Sequence, residues 1–239
     1  MISLMYKMQS DIEDQIRTAI AVIKRGGTVV YPTETVYGLG ADAFSEEAVR
    51  KVYGIKQRDL SLPLSIAVSS FEMLQTVAYV DSDLLAILTE LLPGPVTVLL
   101  RKRDSVPDLL TAASDLVGVR FPDNKIALRI IEKTGPITST SANISGRIPP
   151  TCVEEVEIES DVIINGGRCK YSMPSTVVAI TRVKANEEEA DTKVKIGIEI
   201  KIKRKGACYD RVLHVLRSKA VGEGFHRFSV PELRRERDR

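Results

Sequence analysis

Between Ile12 and Ile180 short apolar runs alternate with segments of helical period, and this alternation is the strongest constraint on what the chain can fold into. Ile12, Ile16, Ala19, Ile20 and Ile23 lie on one face of a helix that Ser10 caps and Gly26-Gly27 ends. Thr28–Tyr31 then reads as a buried strand. Ser45 caps a second helix with Ala48, Val49 and Val52 turned inward, running toward Lys56-Gln57-Arg58. Leu64–Val68 is a strand, and Asp81 or Ser82 opens a helix through Leu84, Leu85, Leu88 and Leu91 that Pro93-Gly94-Pro95 stops. Val96–Leu100 and Val117–Phe121 are strands, Lys125–Lys133 is a helix stopped at Gly135-Pro136, and Ile137–Thr140, Val162–Ile164 and Thr176–Ile180 are further strands. Helices interleaved with short apolar strands define an α/β domain.

Ala185–Thr192 reads as an exposed hairpin loop. Beyond it "KVKIGIEIKIKRK" alternates strictly, with Val194, Ile196, Ile198, Ile200 and Ile202 on one face, which is a half-solvated strand. Cys208–Arg217 forms a last helix, and "PELRRERDR" is a frayed charged tail. With no repeat and no low-complexity linker, the economical division is one domain over 9–205 and a short basic C-terminal extension over 206–239.

The residue census narrows the chemistry. The chain of 239 residues holds two histidines, His214 and His226, both near its end. A Ser-His-Asp or Cys-His site in the main body is therefore nearly excluded, as is a His-ligated metal. Cys152, Cys169 and Cys208 fit no zinc or redox spacing and read as reduced thiols of a cytoplasmic protein. No membrane span or signal peptide is legible. A net charge of +2 forces no nucleic-acid partner, although a local basic face remains open. Chemistry must run on Lys, Arg, Ser, Thr, Asn, Asp and a cofactor or metal ion.

Four constellations could carry it. The loop "YPTETVYGLG" after the first strand contains Gly38-x-Gly40-x-x-Ala43, which satisfies the dinucleotide pattern, with Asp59 where a ribose-binding acid would stand. Its glycines come several residues after the strand, however, and the helix begins only near Ser45, so the succession that the fingerprint needs is broken. Lys56 and Arg58 are explained by a helix C-terminus alone. In extended backbone they would instead project to one side as a phosphate clamp. Thr138-Ser139-Thr140-Ser141-Ala142-Asn143 is either a loop of local turn bonds or a ligand-binding strand end. Arg120, alone in the apolar "VGVRFP", requires an anionic partner from protein or ligand.

Taken in order, "GGTVVYPTETVYGLGADA", "KQR", "PGPVTVLL", "VGVRFP", "TSTSANISG" and "PSTVV" resemble the YrdC/TsaC family of threonylcarbamoyl-AMP synthases. The likeness covers Ala19 to Ile180 and extends weakly to "KRKGA" at Arg204. It implies a YrdC-like α/β fold with a twisted, largely mixed open sheet, flanking helices and a basic concave face. It further implies condensation of L-threonine, bicarbonate and ATP into threonylcarbamoyl-adenylate, with pyrophosphate released and Mg²⁺ accompanying the ATP. A threonylcarbamoyl-transferase complex would then pass the group to adenosine beside the anticodon of tRNA, giving N6-threonylcarbamoyladenosine. Contact with tRNA or double-stranded RNA is a further partner that the basic face allows.

By the same resemblance the signature K-x-R…S-x-N falls on Lys56, Arg58, Ser141 and Asn143. These would bind ATP, with Lys56 and Arg58 catalytic and no side chain of the protein assigned to metal. Thr33, Thr35, Arg120 and Ser175 would contact threonine, the glycines of the opening loop letting backbone turn closely around it, and Arg204 would contact ATP. Glu34 would anchor the loop or meet the substrate ammonium. Leu62, where relatives carry a polar residue, and Ala67, where long forms carry a histidine, depart from the pattern. The chain reads as a short form. A paralogue that lost adenylate synthesis, a carbamoyl-adenylate former of the hydrogenase-maturation type without its zinc modules, and a double-stranded RNA-binding module are the rival readings.

Overall fold

A computed structural model describes residues 11–184, 196–222 and 227–229. In chain order the elements are α1 (Ile12–Lys24), β1 (Val29–Tyr31), β2 (Gly38–Gly40), α2 (Glu46–Lys56), β3 (Ser65–Ala67), α3 (Phe71–Val77), α4 (Ser82–Leu91), β4 (Val96–Arg101) and α5 (Asp108–Thr111). There follow β5 (Leu116–Arg120), α6 (Lys125–Thr134), β6 (Ile137–Ser141), a 3-10 turn at Val153–Glu155, β7 (Val162–Ile163), β8 (Thr176–Lys184), β9 (Ile196–Arg204), α7 (Tyr209–Gly222) and β10 (Arg227–Ser229). The strands form one open mixed sheet in the order β10-β9-β8-β4-β5-β3-β6-β2-β1-β7. Parallel pairs (β1 with β7, β3 with β5, β4 with β8, β9 with β10) alternate irregularly with antiparallel ones. The expected α/β class and mixed sheet are what the chain adopts.

Local chemistry explains the helix starts. Ser45, Ser70, Asp81 and Asn124 each accept a hydrogen bond from a first-turn N–H of α2, α3, α4 and α6, satisfying donors that have no partner inside the helix. Ser10, Ala185–Thr192, Val194 and the tail from Pro231 lie outside the described residues. Helix α3 was not legible in the sequence, although Ser70 ahead of Phe71 was a capping signal.

Two apolar clusters lie on opposite faces of the sheet. Val30 joins the larger cluster while its neighbours Val29 and Tyr31 join the smaller, because successive strand residues point to opposite faces. The larger cluster gathers α2, α3, α4 and α7 against the sheet. The smaller packs α1 and α6 over β1, Ala67, Ile137 and Ile164, and includes no residue of β4, β5, β8 or β9. Among the described residues no second apolar cluster covers that half of the face, called the open face below. Val212 and Leu216 of α7 belong to the larger core, so the segment after residue 205 shares the apolar core of the residues before it. Among the described residues no helix is long and apolar enough to cross a membrane.

Candidate functional site

The opening loop is a hydrogen-bonded turn between two strands. Thr33 Oγ1 is its hub: it donates to Val36 O at 2.7 Å, lies 2.9 Å from Thr35 Oγ1, and accepts from the N–H groups of Thr35 and Val36. A threonine closing its own turn in this way needs no ligand to hold it. Gly38 and Gly40 belong to β2, which pairs with β1 on one side and β6 on the other. A Cβ on Gly40 would stand 2.9 Å from both the Tyr31 ring and Ile137 Cδ1. Glycine is required there so that the buried Tyr31 ring can lie on the backbone, while Gly38 lines the same cleft as Thr33 and Thr35.

Glu34 faces away from solvent and meets Arg120 at 2.6 Å, so the anion that Arg120 demands is in the opening loop. The guanidinium is nearly saturated. Nη1 donates to Gly94 O and Val96 O at 2.5 and 2.7 Å, and Nη2 donates to Glu34 Oε1 and, at 3.5 Å, to Thr35 Oγ1. Among the described residues Glu34 Oε2, which is buried, is left without a partner.

Lys56 and Arg58 are not side by side. Lys56 is the last residue of α2 and Gln57 adopts a left-handed conformation, not an extended one. The Lys56 side chain is 1% exposed and its ammonium donates to Ser141 O at 2.5 Å and Asn143 O at 2.7 Å. Its own carbonyl accepts from Ser145 N–H, so the residue ties down the turn after β6 from both ends. Burial and, secondarily, the Arg58 charge push its ammonium down to about 8. Arg58 instead braces the 58–63 loop, donating from Nε to Leu62 O and from Nη2 to Pro63 O, which leaves Nη1 free. Asn143 donates to Ile144 O and Arg147 O, while its buried Oδ1 accepts nothing.

Arg204 enters from β9 by way of a register break. Ile202 pairs with Val178 but Arg204 pairs with Val177, so Lys203 is an extra residue on β9. Strict alternation would have put Arg204 on the face of the buried Ile198, Ile200 and Ile202. The bulge turns it to the open face instead. There Nε and Nη2 donate to Ser175 O, and Nη2 also reaches Ser175 Oγ at 3.2 Å. Ser175 Oγ in turn lies 2.7 Å from Thr97 Oγ1. Burial first, then the charge of Arg120, lower the Arg204 pKa. The following turn is pressed onto Pro174-Ser175, since a Cβ on Gly206 would meet both carbonyl oxygens at 2.4 Å.

Thr33, Thr35, Arg58, Arg120, Ser141, Ser175 and Arg204 converge on one cleft of about 310 Å³ on the open face. Lys56 and Asn143 do not line it: Lys56 lies beneath, and Asn143 faces an adjoining hollow that shares Pro149 with the cleft. Gly118 lies between the lining residues Ser65 and Thr97 with no room for a side chain, since a Cβ would meet Ser65 Oγ at 2.5 Å. Sequence reasoning did not single out Thr97 or Ser65; nothing marks a threonine or serine inside an apolar strand as facing a cleft until the sheet is assembled. No carboxylate lines the cleft among the described residues, and no three His, Cys, Asp or Glu side chains are grouped to hold an ion.

On the open face of a mixed sheet the cleft thus presents hydroxyls and guanidiniums with no carboxylate among the described lining residues, a surface complementary to anions. The chain belongs to the Sua5/YciO/YrdC family, whose model, described as telomere recombination, matches residues 21–188. It is 43% identical over 162 residues to a putative threonylcarbamoyl-AMP synthase of Methanocaldococcus jannaschii, covering 66% of this chain and 76% of that one. It is 38% identical over 186 residues to the threonylcarbamoyl-AMP synthase of Pyrococcus abyssi, covering 75% of this chain and 55% of the relative. The crystal structure of P. abyssi Sua5 complexed with L-threonine superposes with a TM-score of 0.66 at 39% identity, covering 72% of this chain and 52% of that one. The chain thus spans about half the length of the Pyrococcus protein.

Proposed function

We propose that this protein is an L-threonylcarbamoyladenylate synthase, joining L-threonine, bicarbonate and ATP with release of pyrophosphate. The observation that carries the reading is the convergence of Arg58, Arg120 and Arg204 on one hydroxyl-lined cleft with no lining carboxylate. It is supported by relatives named for that synthesis and by a relative solved with L-threonine.

The chemistry suits these residues. The threonine amine and bicarbonate give N-carboxy-threonine and water, and a carbamate oxygen then attacks the α-phosphorus as the bond to pyrophosphate breaks. No protein nucleophile is consumed, so the lack of histidine in the main body is no handicap. The protein's part is to align two substrates and to hold cations against the charge of the phosphorus transition state. In this reading Thr35, Arg120 and Ser175 face the amino acid, with Thr33 shaping the turn. Arg58 and Ser141 face the triphosphate. Lys56 and Asn143 act from behind it, Lys56 by holding the Ser141–Asn143 backbone. Mg²⁺ would arrive on ATP and neutralise the leaving pyrophosphate. The Ser141 hydroxyl, which lines the cleft, is a hard oxygen donor of the kind such an ion accepts, and an ion already carrying phosphate ligands needs no carboxylate cage.

The adenylate would pass to a threonylcarbamoyl-transferase complex that modifies tRNA, in the cytoplasm, where Cys152, Cys169 and Cys208 would stay as the free thiols they are here. The test is pyrophosphate release with ATP and bicarbonate, with and without L-threonine. Release that depends on threonine and falls sharply in Arg58→Ala supports the reading. Threonine-independent turnover, or RNA binding without any threonine effect, overturns it.

A further inference from the structure

Arg204 shares one row of the sheet with Val177, Thr97 and Arg120. It donates three times to Ser175, Ser175 is bonded to Thr97, and the charge that it feels most closely is that of Arg120. The two guanidiniums are unequally served. Arg120 has its counter-ion in Glu34, whereas Arg204 has no carboxylate partner among the described residues, and its Nη1 is unused.

Free L-threonine brings one carboxylate and one ammonium to this half of the cleft. Carboxylation changes that balance. The ammonium nitrogen loses two protons, one leaving with the bicarbonate hydroxyl as water and one to solvent, and a C–N bond forms. The product, N-carboxy-threonine, is a dianion. A site for zwitterionic threonine alone needs one cation, whereas a site for the dianion needs two.

We propose that Arg204, through Nη1 and with Ser175 Oγ beside it, forms the subsite for bicarbonate and then for the carbamate carboxylate. The inference rests on the synthase reading and moves Arg204 from the nucleotide to the one-carbon substrate. The β9 bulge is then the device that brings a second cation to the amino-acid half.

Two measurements test it. In initial-rate assays, Arg204→Met raises the KM for bicarbonate by about tenfold or more, the size expected for one lost charge-assisted contact, and Arg204→Lys restores part of it. Calorimetry in CO2-depleted buffer gives L-threonine affinities within about threefold of each other for wild type and Arg204→Met, which also establishes that the variant folds. A loss confined to the KM for ATP, or to the affinity for threonine, overturns the assignment. The second measurement needs no turnover. N-carboxymethyl-L-threonine, a stable dicarboxylate, binds wild type more tightly than L-threonine and loses that advantage in Arg204→Met. Equal binding of the two ligands to wild type overturns the subsite even where the synthase reading stands. Absence of threonine-dependent pyrophosphate release in wild type is the separate failure that overturns the synthase reading itself.

Discussion

Glu34 of the opening loop and Arg120 at the end of β5 form an ion pair at 2.6 Å with side chains 2% and 6% exposed. Removing one member of such a pair leaves the other charge buried and unmatched, which costs about 3–5 kcal/mol. Arg120→Met should therefore lower stability in urea by that order, with Glu34→Gln milder because an amide can still accept from Nη2. Equal stability of Arg120→Met and wild type would show that the pair contributes nothing net.

Lys56 yields a pH signature. Its pKa falls from 10.5 to about 8 on folding, so between those values the unfolded chain binds a proton that the folded one does not, and stability rises with pH. Below about pH 8 the cost of burying the ammonium is fully present. It is relieved as pH approaches 10.5, by about 3 kcal/mol in the limit. Denaturation of wild type and Lys56→Met at pH 7 and pH 10 should show wild type gaining relative to the variant at the higher pH. A gap that does not change with pH would contradict a buried charged Lys56.

The bulge makes a sharp prediction about register. Deleting Lys203 places Arg204 directly after Ile202, so regular alternation keeps it on the open face opposite Val177 without the bulge. Pyrophosphate release should therefore stay within about threefold of wild type, whereas Arg204→Met loses at least about tenfold. A loss in the deletion variant as large as that of Arg204→Met would mean that Val177 does not remain the partner of Arg204.

Gly206 tests the clamp between the 204–207 turn and Ser175. Gly206→Ala places a methyl 2.4 Å from Pro174 O and Ser175 O. Overpacking of that kind costs about 1–3 kcal/mol, and here it also displaces Ser175. A lowered melting temperature together with a raised KM for threonine is expected. A variant with unchanged melting and kinetics would show that the turn yields freely.

Cysteine reactivity should follow burial. Burial pushes the Cys169 thiol up to about 11, so little of it is thiolate at neutral pH. Iodoacetamide followed by mass spectrometry should label the half-exposed Cys208 before Cys169. The reverse order would contradict the packing around the opening loop.

Much of the architecture was legible because local rules and tertiary structure agree. The caps at Ser45 and Asp81 and the Gly and Pro stops act within a few residues, and apolar periodicity reports which face is buried without reference to a partner. The composition of the site was legible as well: Thr35, Arg58, Arg120, Ser141 and Ser175 come from well-separated segments, yet all face the cleft. What each side chain does there was not legible. Two residues apart in sequence, Lys56 and Arg58 diverge because Gln57 turns left-handed at a helix end. Lys56 is claimed by carbonyls far along the chain, and Gly40 of the opening loop makes room for a tyrosine ring. The sequence by itself determined the class of fold, the order of elements and the set of polar groups. Only the tertiary structure decided that Arg120 has Glu34 as its counter-ion and that Arg204 faces the cleft. Both depend on pairing between distant strands, and a one-residue break in strand register reverses the face of every side chain beyond it.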